Sequence, residues 1–167
     1  MKIAVVDDSK FTRMIIKQIL NDLSATDFCW EAENGKVALE KNTRHPVDLI
    51  ISDLEMPVLD GLQLLKTVIG GEVKTNCLLI SAFHKSNQPK IIDALKAGAI
   101  GFIEKNSLGK GFDINSLKKE IDKYINFLTQ DNILKKEIRA TSLENNPSRS
   151  VVKNRACLLY TSPSPRD

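Results

Sequence analysis

Four short stretches of this chain end on residues able to do chemistry. Val5-Val6-Asp7-Asp8 sets two carboxylates behind an apolar run, and Ile50-Ile51-Ser52-Asp53 sets a third behind another. Leu79-Ile80-Ser81 ends on a hydroxyl, and Phe102-Ile103-Glu104-Lys105 ends on an amine. A carboxylate at the tip of a buried strand is penalised by desolvation unless something offsets its charge. Three carboxylates held close also repel one another, and one of them takes up a proton unless a cation neutralises the group. A hard divalent ion suits the oxygen donors, and Mg²⁺ binds such ligands while keeping several waters. A carboxylate beside Mg²⁺ can attack phosphorus and form an aspartyl phosphate. Lys105 would then pair with phosphoryl oxygens, and the Ser81 hydroxyl would hydrogen-bond another.

That chemistry requires the four stretches to end at one edge, and the pattern of the chain predicts that they do. Short apolar runs at residues 3–6, 28–32, 47–52, 77–81 and 100–103 alternate with segments of helical periodicity. Ser9 is placed to cap a first helix in which Phe11, Met14, Ile15 and Ile19 fall at helical spacing. Asn34-Gly35 opens a second helix, and Leu62, Leu64, Leu65 and Val68 mark a third that stops at Gly70-Gly71. Ile91, Ile92, Ala94, Leu95 and Ala97 mark a fourth, ending at Gly98. Ile114, Leu117, Ile121, Ile125 and Leu128 form the stripe of a fifth. Five strands alternating with five helices predict a doubly wound α/β sandwich, in which ligands sit at the carboxyl ends of the strands.

Composition narrows the function classes. The net charge of the 167 residues is +3, but residues 1–130 hold 17 Lys/Arg against 17 Asp/Glu. Residues 131–167 hold 7 against 4, so the basic excess lies in the tail and the body offers no footprint for direct nucleic-acid binding. Cys29, Cys77 and Cys157 form no even framework, and Cys29 and Cys77 fall in strand-like runs, as in proteins of a reducing cytosol. His45 and His84 are isolated, which disfavours zinc. The opening MKIAVVDDSK is too short in apolar residues for a signal peptide or a membrane span, so a cytoplasmic location is expected. No G-x-G-x-x-G or Walker lysine follows the first strand, which argues against a nucleotide enzyme.

Taken together, VVDDS, DLEMPVLDGL, LLISAF and GFIEK, in this order and spacing, resemble the response-regulator receiver family over roughly residues 1–130. The resemblance implies a flavodoxin-like sheet of order 2-1-3-4-5 and transfer of a phosphoryl group from a sensor histidine kinase to Asp53. It implies Mg²⁺ held by Asp8, Asp53 and the backbone carbonyl of Glu55, with Asp7 acting mainly through a water. It also implies a switch pair, Ser81 and Phe102, that biases a partner-binding face made by the fourth helix, fifth strand and fifth helix. Glu55 and Phe83 occupy positions that modulate phosphoryl lifetime in the family. The family usually has Lys-Pro where this chain has Lys105-Asn106. Bland alternatives stand beside these roles: Asp7 and Asp8 as helix caps, and Phe102 as ordinary core.

The stretch DLEMPVLDGLQLLKTVI and the Gly-containing run after Lys105 look most like the receivers of chemotaxis protein-glutamate methylesterases. In those proteins a linker leads on to a catalytic domain with a G-x-S-x-G-like serine, and no such elbow occurs here. Residues 131–156 are therefore expected to be a linker toward a missing output domain. Residues 157–167, CLLYTSPSPRD, resemble the translation of a transposon-end adapter from sequencing libraries, which implies an artefactual tail. Three outputs stay open: a truncated methylesterase, a stand-alone signalling module, and the receiver of a DNA-binding regulator.

Overall fold

The computed structural model describes residues 1–82, 85–105 and 113–144. Its elements run β1 (Lys2–Val6), α1 (Lys10–Asn21), β2 (Asp27–Ala32), α2 (Gly35–Arg44), β3 (Leu49–Ser52), α3 (Gly61–Ile69), β4 (Asn76–Ser81), α4 (Gln88–Ala97), β5 (Gly101–Glu104) and α5 (Ile114–Glu144). The strands form one parallel sheet of order β2-β1-β3-β4-β5, the flavodoxin-like arrangement expected from the sequence. The chain divides into two units, Met1–Gln130 and Asp131–Asp167, with the boundary inside α5. Phe83, His84, Asn106 with the rest of the run after Lys105, and the tail with Cys157 lie outside the described residues.

Strand periodicity sorts the core into two faces. Ile3, Val5, Leu49, Ile51, Leu78, Ile80 and Ile103 pack against α1 and α5, where Ile15, Ile16, Ile19, Leu20, Leu117, Ile121 and Ile125 close the layer. Ala4, Val6 and Ile50 point the other way, toward α2 and α3. Cys77 and Leu79 do the same under α3 and α4. A sheet covered on both faces explains why β3 and β4 read as nearly continuous apolar runs.

The helix starts match their caps. The Ser9 side chain accepts from the Thr12 amide, Asn34 from Val37, and Asp60 from Gln63 in a reciprocal capping box. α4 begins with Pro89 in its first turn and ends at Gly98, whose φ of 109° is a left-handed closure that glycine adopts without strain.

Several expectations are corrected. Phe11 and Met14 are largely exposed; the buried stripe of α1 is Thr12, Ile15, Ile16, Ile19 and Leu20. It begins one residue after Phe11, a rotation of about 100° on a helix of 3.6 residues per turn. Ile92, Leu95 and Ile114 are also exposed, leaving Ile91 and Ala94 as the inward residues of α4. Cys29 and Cys77 lie on strands as expected, Cys29 exposed on β2 and Cys77 buried on β4, where burial pushes its thiol up to about 12.

Candidate phosphoryl and metal site

Each chemical residue sits at a strand end or one step beyond it, and backbone bonds tie neighbouring tips together. The Asp53 amide donates to the Val6 carbonyl (2.8 Å), joining the tip of β3 to that of β1. The Asp7 amide donates to Ala32 (3.1 Å), and the Lys105 amide donates to Ser81 (2.9 Å). Asp53 is pinned further by the buried Ser52 hydroxyl, which donates to the Asp53 carbonyl (2.8 Å). Gly61 is needed beside it, because a Cβ there would stand 2.1 Å from that carbonyl oxygen and 2.9 Å from the Leu54 Cα.

The tips converge. Asp7, Asp8 and Asp53 each offer a carboxylate oxygen, and all three oxygens lie within 4.8 Å of one another. The Lys105 ammonium lies across two of them, donating to Asp7 Oδ2 (2.8 Å) and Asp53 Oδ2 (2.7 Å). The second oxygens are held by backbone: Ser9 N–H donates to Asp7 Oδ1 (2.8 Å), and Glu55 N–H donates to Asp53 Oδ1 (3.3 Å). Asp7 and Asp53 are buried while Asp8 is exposed, so the cluster opens to solvent on the Asp8 side. Three carboxylates against one ammonium leave an excess of negative charge. That donor set fits a hard divalent cation.

Ser81 is buried at the end of β4, and Phe102 is partly buried against the cluster of α3, β4 and α4. Glu55 is exposed apart from its amide contact. Two residues that the sequence did not single out belong to the site's support. Ser52 grips the Asp53 carbonyl, and Arg13 reaches back from α1 to the carbonyls of Asp7 and Asp8. For Arg13 the available signal was a charged residue adjoining the buried stripe of an amphipathic helix.

Electrostatics in the site are opposed. Burial raises the pKa of Asp7, aided by the Asp53 charge, although the hydrogen bond and charge of Lys105 pull it down. Burial alone would lower Lys105, but hydrogen bonds and charge from Asp53 and Asp7 outweigh it and hold the amine protonated. A carboxyl raised above its usual value is less stable ionised in the fold than in the unfolded chain, so its charge costs stability at neutral pH. Asp7→Asn is therefore expected to stabilise the metal-free protein by about 1 kcal/mol at pH 7. The gain should shrink as pH falls through the raised Asp7 value toward 3.8, where the wild type carries the proton as well. Urea denaturation in chelator across that range checks this, and an Asn variant less stable at pH 7 would contradict it.

Comparison with known proteins agrees with this geometry. Residues 3–122 match the family model of the response regulator receiver domain. The chain is 36% identical over 125 residues to the chemotaxis protein CheY of Bacillus subtilis, covering 75% of this chain and 98% of that protein. It is 34% identical over 122 residues to a protein-glutamate methylesterase/protein-glutamine glutaminase of Syntrophomonas wolfei, covering 73% of this chain. It spans only 34% of that enzyme's length. Among solved structures, the response regulator domain of Thermotoga maritima CheB superposes with a TM-score of 0.67 at 29% identity, over 75% of this chain and 93% of that one. With the acidic cluster, the lysine clasp and the sheet order all in place, the chain belongs to the response regulator receiver family.

Proposed function

We propose that this domain takes a phosphoryl group from the phosphohistidine of a sensor kinase onto Asp53, and that the acyl phosphate so formed resets a partner-binding face. The observation that carries this reading is the Lys105 ammonium laid across Asp53 and Asp7 within a three-carboxylate cluster. An Asp53 carboxylate oxygen attacks phosphorus, the phosphorus–nitrogen bond breaks, and the imidazole leaves with the bonding electron pair. Mg²⁺, when held by Asp7, Asp8, Asp53 and the Glu55 carbonyl, supplies charge neutralisation for the transferring group. Exposed Asp8 and buried Asp53 would ligate the ion, with Asp53 also the nucleophile, and buried Asp7 would act on it mainly through a water. Lys105 exchanges one carboxylate partner for a phosphoryl oxygen, which keeps the amine paired throughout.

Ser81 and Phe102 act as the switch pair. Ser81 ends β4 next to Lys105, whose amide bonds the Ser81 carbonyl, so a hydroxyl bonded to the phosphoryl group would shift the backbone that also sets β5. Phe102 lies on β5, two residues inside its end, paired in register with Leu79. Its partly buried ring can exchange between packing inward and facing out. The face built by α4, β5 and α5 is the expected output surface for a partner or an attached domain. No helix among the described residues is long and apolar enough to cross a membrane, and we assign the domain to the cytoplasm.

Similarity to the methylesterases favours residues 1–130 as the receiver of such an enzyme. We read residues 131–156 as a linker toward its catalytic domain and, from their resemblance to adapter sequence alone, residues 157–167 as an artefactual tail. The CheY match, covering nearly all of that protein, supports a stand-alone module as the second reading. Incubation of the protein with Mg²⁺ and a small acyl phosphate should add one phosphoryl group by intact mass, and Asp53→Asn should abolish the addition. Persistent labelling of the Asn variant would overturn the assignment of Asp53. For the output, the native gene read past codon 156 should continue into a G-x-S-x-G elbow with later Asp and His; a stop codon or a helix-turn-helix pattern there would exclude the methylesterase.

A further inference from the structure

Arg13 makes contacts that the phosphoryl chemistry does not use. It lies near the start of α1, and only 12% of its side chain is exposed. Its Nη1 donates to the Asp7 carbonyl (2.6 Å) and, more loosely, to the Asp8 carbonyl (3.4 Å). A nearly buried guanidinium ordinarily takes a carboxylate in a two-point fork. Here the nearest acid oxygen, Glu31 Oε1, is 3.8 Å from Nε, and that buried Nε makes no hydrogen bond among the described residues. The side chain thus spends its best bond on the backbone of the two acidic residues rather than on a carboxylate.

We propose that Arg13 is a positioning residue for the metal-binding loop, fixing the peptide planes of Asp7 and Asp8 so that their carboxylates stay convergent without help from Lys105. The inference rests on the metal reading above. Lys105 holds Asp7 against Asp53 through their carboxylates, but the same ammonium is the partner for an arriving phosphoryl group. Once it turns to that group, mutual repulsion would spread the acidic tips. Arg13 holds the loop through the backbone carbonyls of Asp7 and Asp8, which leaves the carboxylates free for the ion. Ser9 adds a second anchor: its amide holds Asp7 Oδ1, and its own carbonyl accepts the Arg13 amide (3.1 Å). The loop is therefore tied to α1 through both the side chain and the backbone of Arg13.

The sign of the effect separates this role from simpler ones. A guanidinium near the site repels a divalent cation, so if Arg13 acted only as a charge, removing it would tighten Mg²⁺ binding. If it positions the loop, removing it weakens binding despite the relieved repulsion. The test is a Mg²⁺ titration of the full chain, followed by amide chemical shifts, for wild type, Arg13→Gln and Arg13→Lys, with thermal melts in chelator. Positioning predicts Mg²⁺ affinity lower by about tenfold in both variants, the usual scale when a group orienting metal ligands is lost. Tighter binding by the Gln variant with no change in the Lys variant would overturn the proposal in favour of a charge effect. Lower melting temperatures with unchanged Mg²⁺ affinity would overturn it in favour of a purely structural role. A wild type that binds no Mg²⁺ would refute the metal reading itself, and this inference with it.

Discussion

One ammonium shared by two carboxylates from different strands is the interaction around which the domain is arranged. Lys105 reaches Asp7 and Asp53 at hydrogen-bond distance, although the three residues leave three different strands. An interior of this kind is not built for stability: a buried ion pair roughly breaks even against a well-packed apolar substitute, and it leaves an uncompensated charge when one partner goes. Here the ratio is worse, with three carboxylates facing one lysine. The arrangement makes physical sense when the missing positive charge is a cation and the lysine's second partner is a phosphoryl oxygen.

The rest of the fold can be understood as the means of holding that unfavourable cluster. The order β2-β1-β3-β4-β5 sets β1 beside β3, so Asp7 and Asp53 leave neighbouring strands. The β4–β5 pair carries Ser81 and Lys105 together, one strand further along. Both faces of the sheet are packed with aliphatic side chains, which fixes the strand tips relative to one another. Local devices add to this scaffold. They are the Ser52 hydroxyl and the bare Cα of Gly61 at the Asp53 carbonyl, the Ser9 amide on Asp7, and Arg13 on the Asp7 carbonyl. A costly cluster of this sort is tolerated where function requires it and the surroundings over-determine the geometry.

Much of this was legible in the sequence because it depends on pattern and position. Alternating apolar runs and helical periodicity set out the element order, and a doubly wound sheet places strand tips at one edge without further information. Asp7, Asp8, Asp53, Ser81 and Lys105 were legible as terminal residues of those runs. The parts that were not legible depend on rotation and reach. Phe11 and Met14 share the helical period of Ile15 and Ile19, yet a shift of one residue turns them to solvent. Cys29 sits in a strand-like run, but on an edge strand whose pattern leaves it exposed. Arg13 and Ser52 act through backbone carbonyls, and nothing in a residue's type announces which carbonyl it will meet.

The central claim is that the cluster of Asp7, Asp8 and Asp53 is a divalent-cation site beside a phosphoryl acceptor. Crystals grown with Mn²⁺, which shares the oxygen preference of Mg²⁺, would report it directly through anomalous difference density. The account predicts one dominant peak bounded by these three carboxylates, with Lys105 still at hydrogen-bond distance from Asp53 or from an added phosphoryl analogue. Ordered carboxylates with no peak between them, or a peak only at other surface acids, would contradict it.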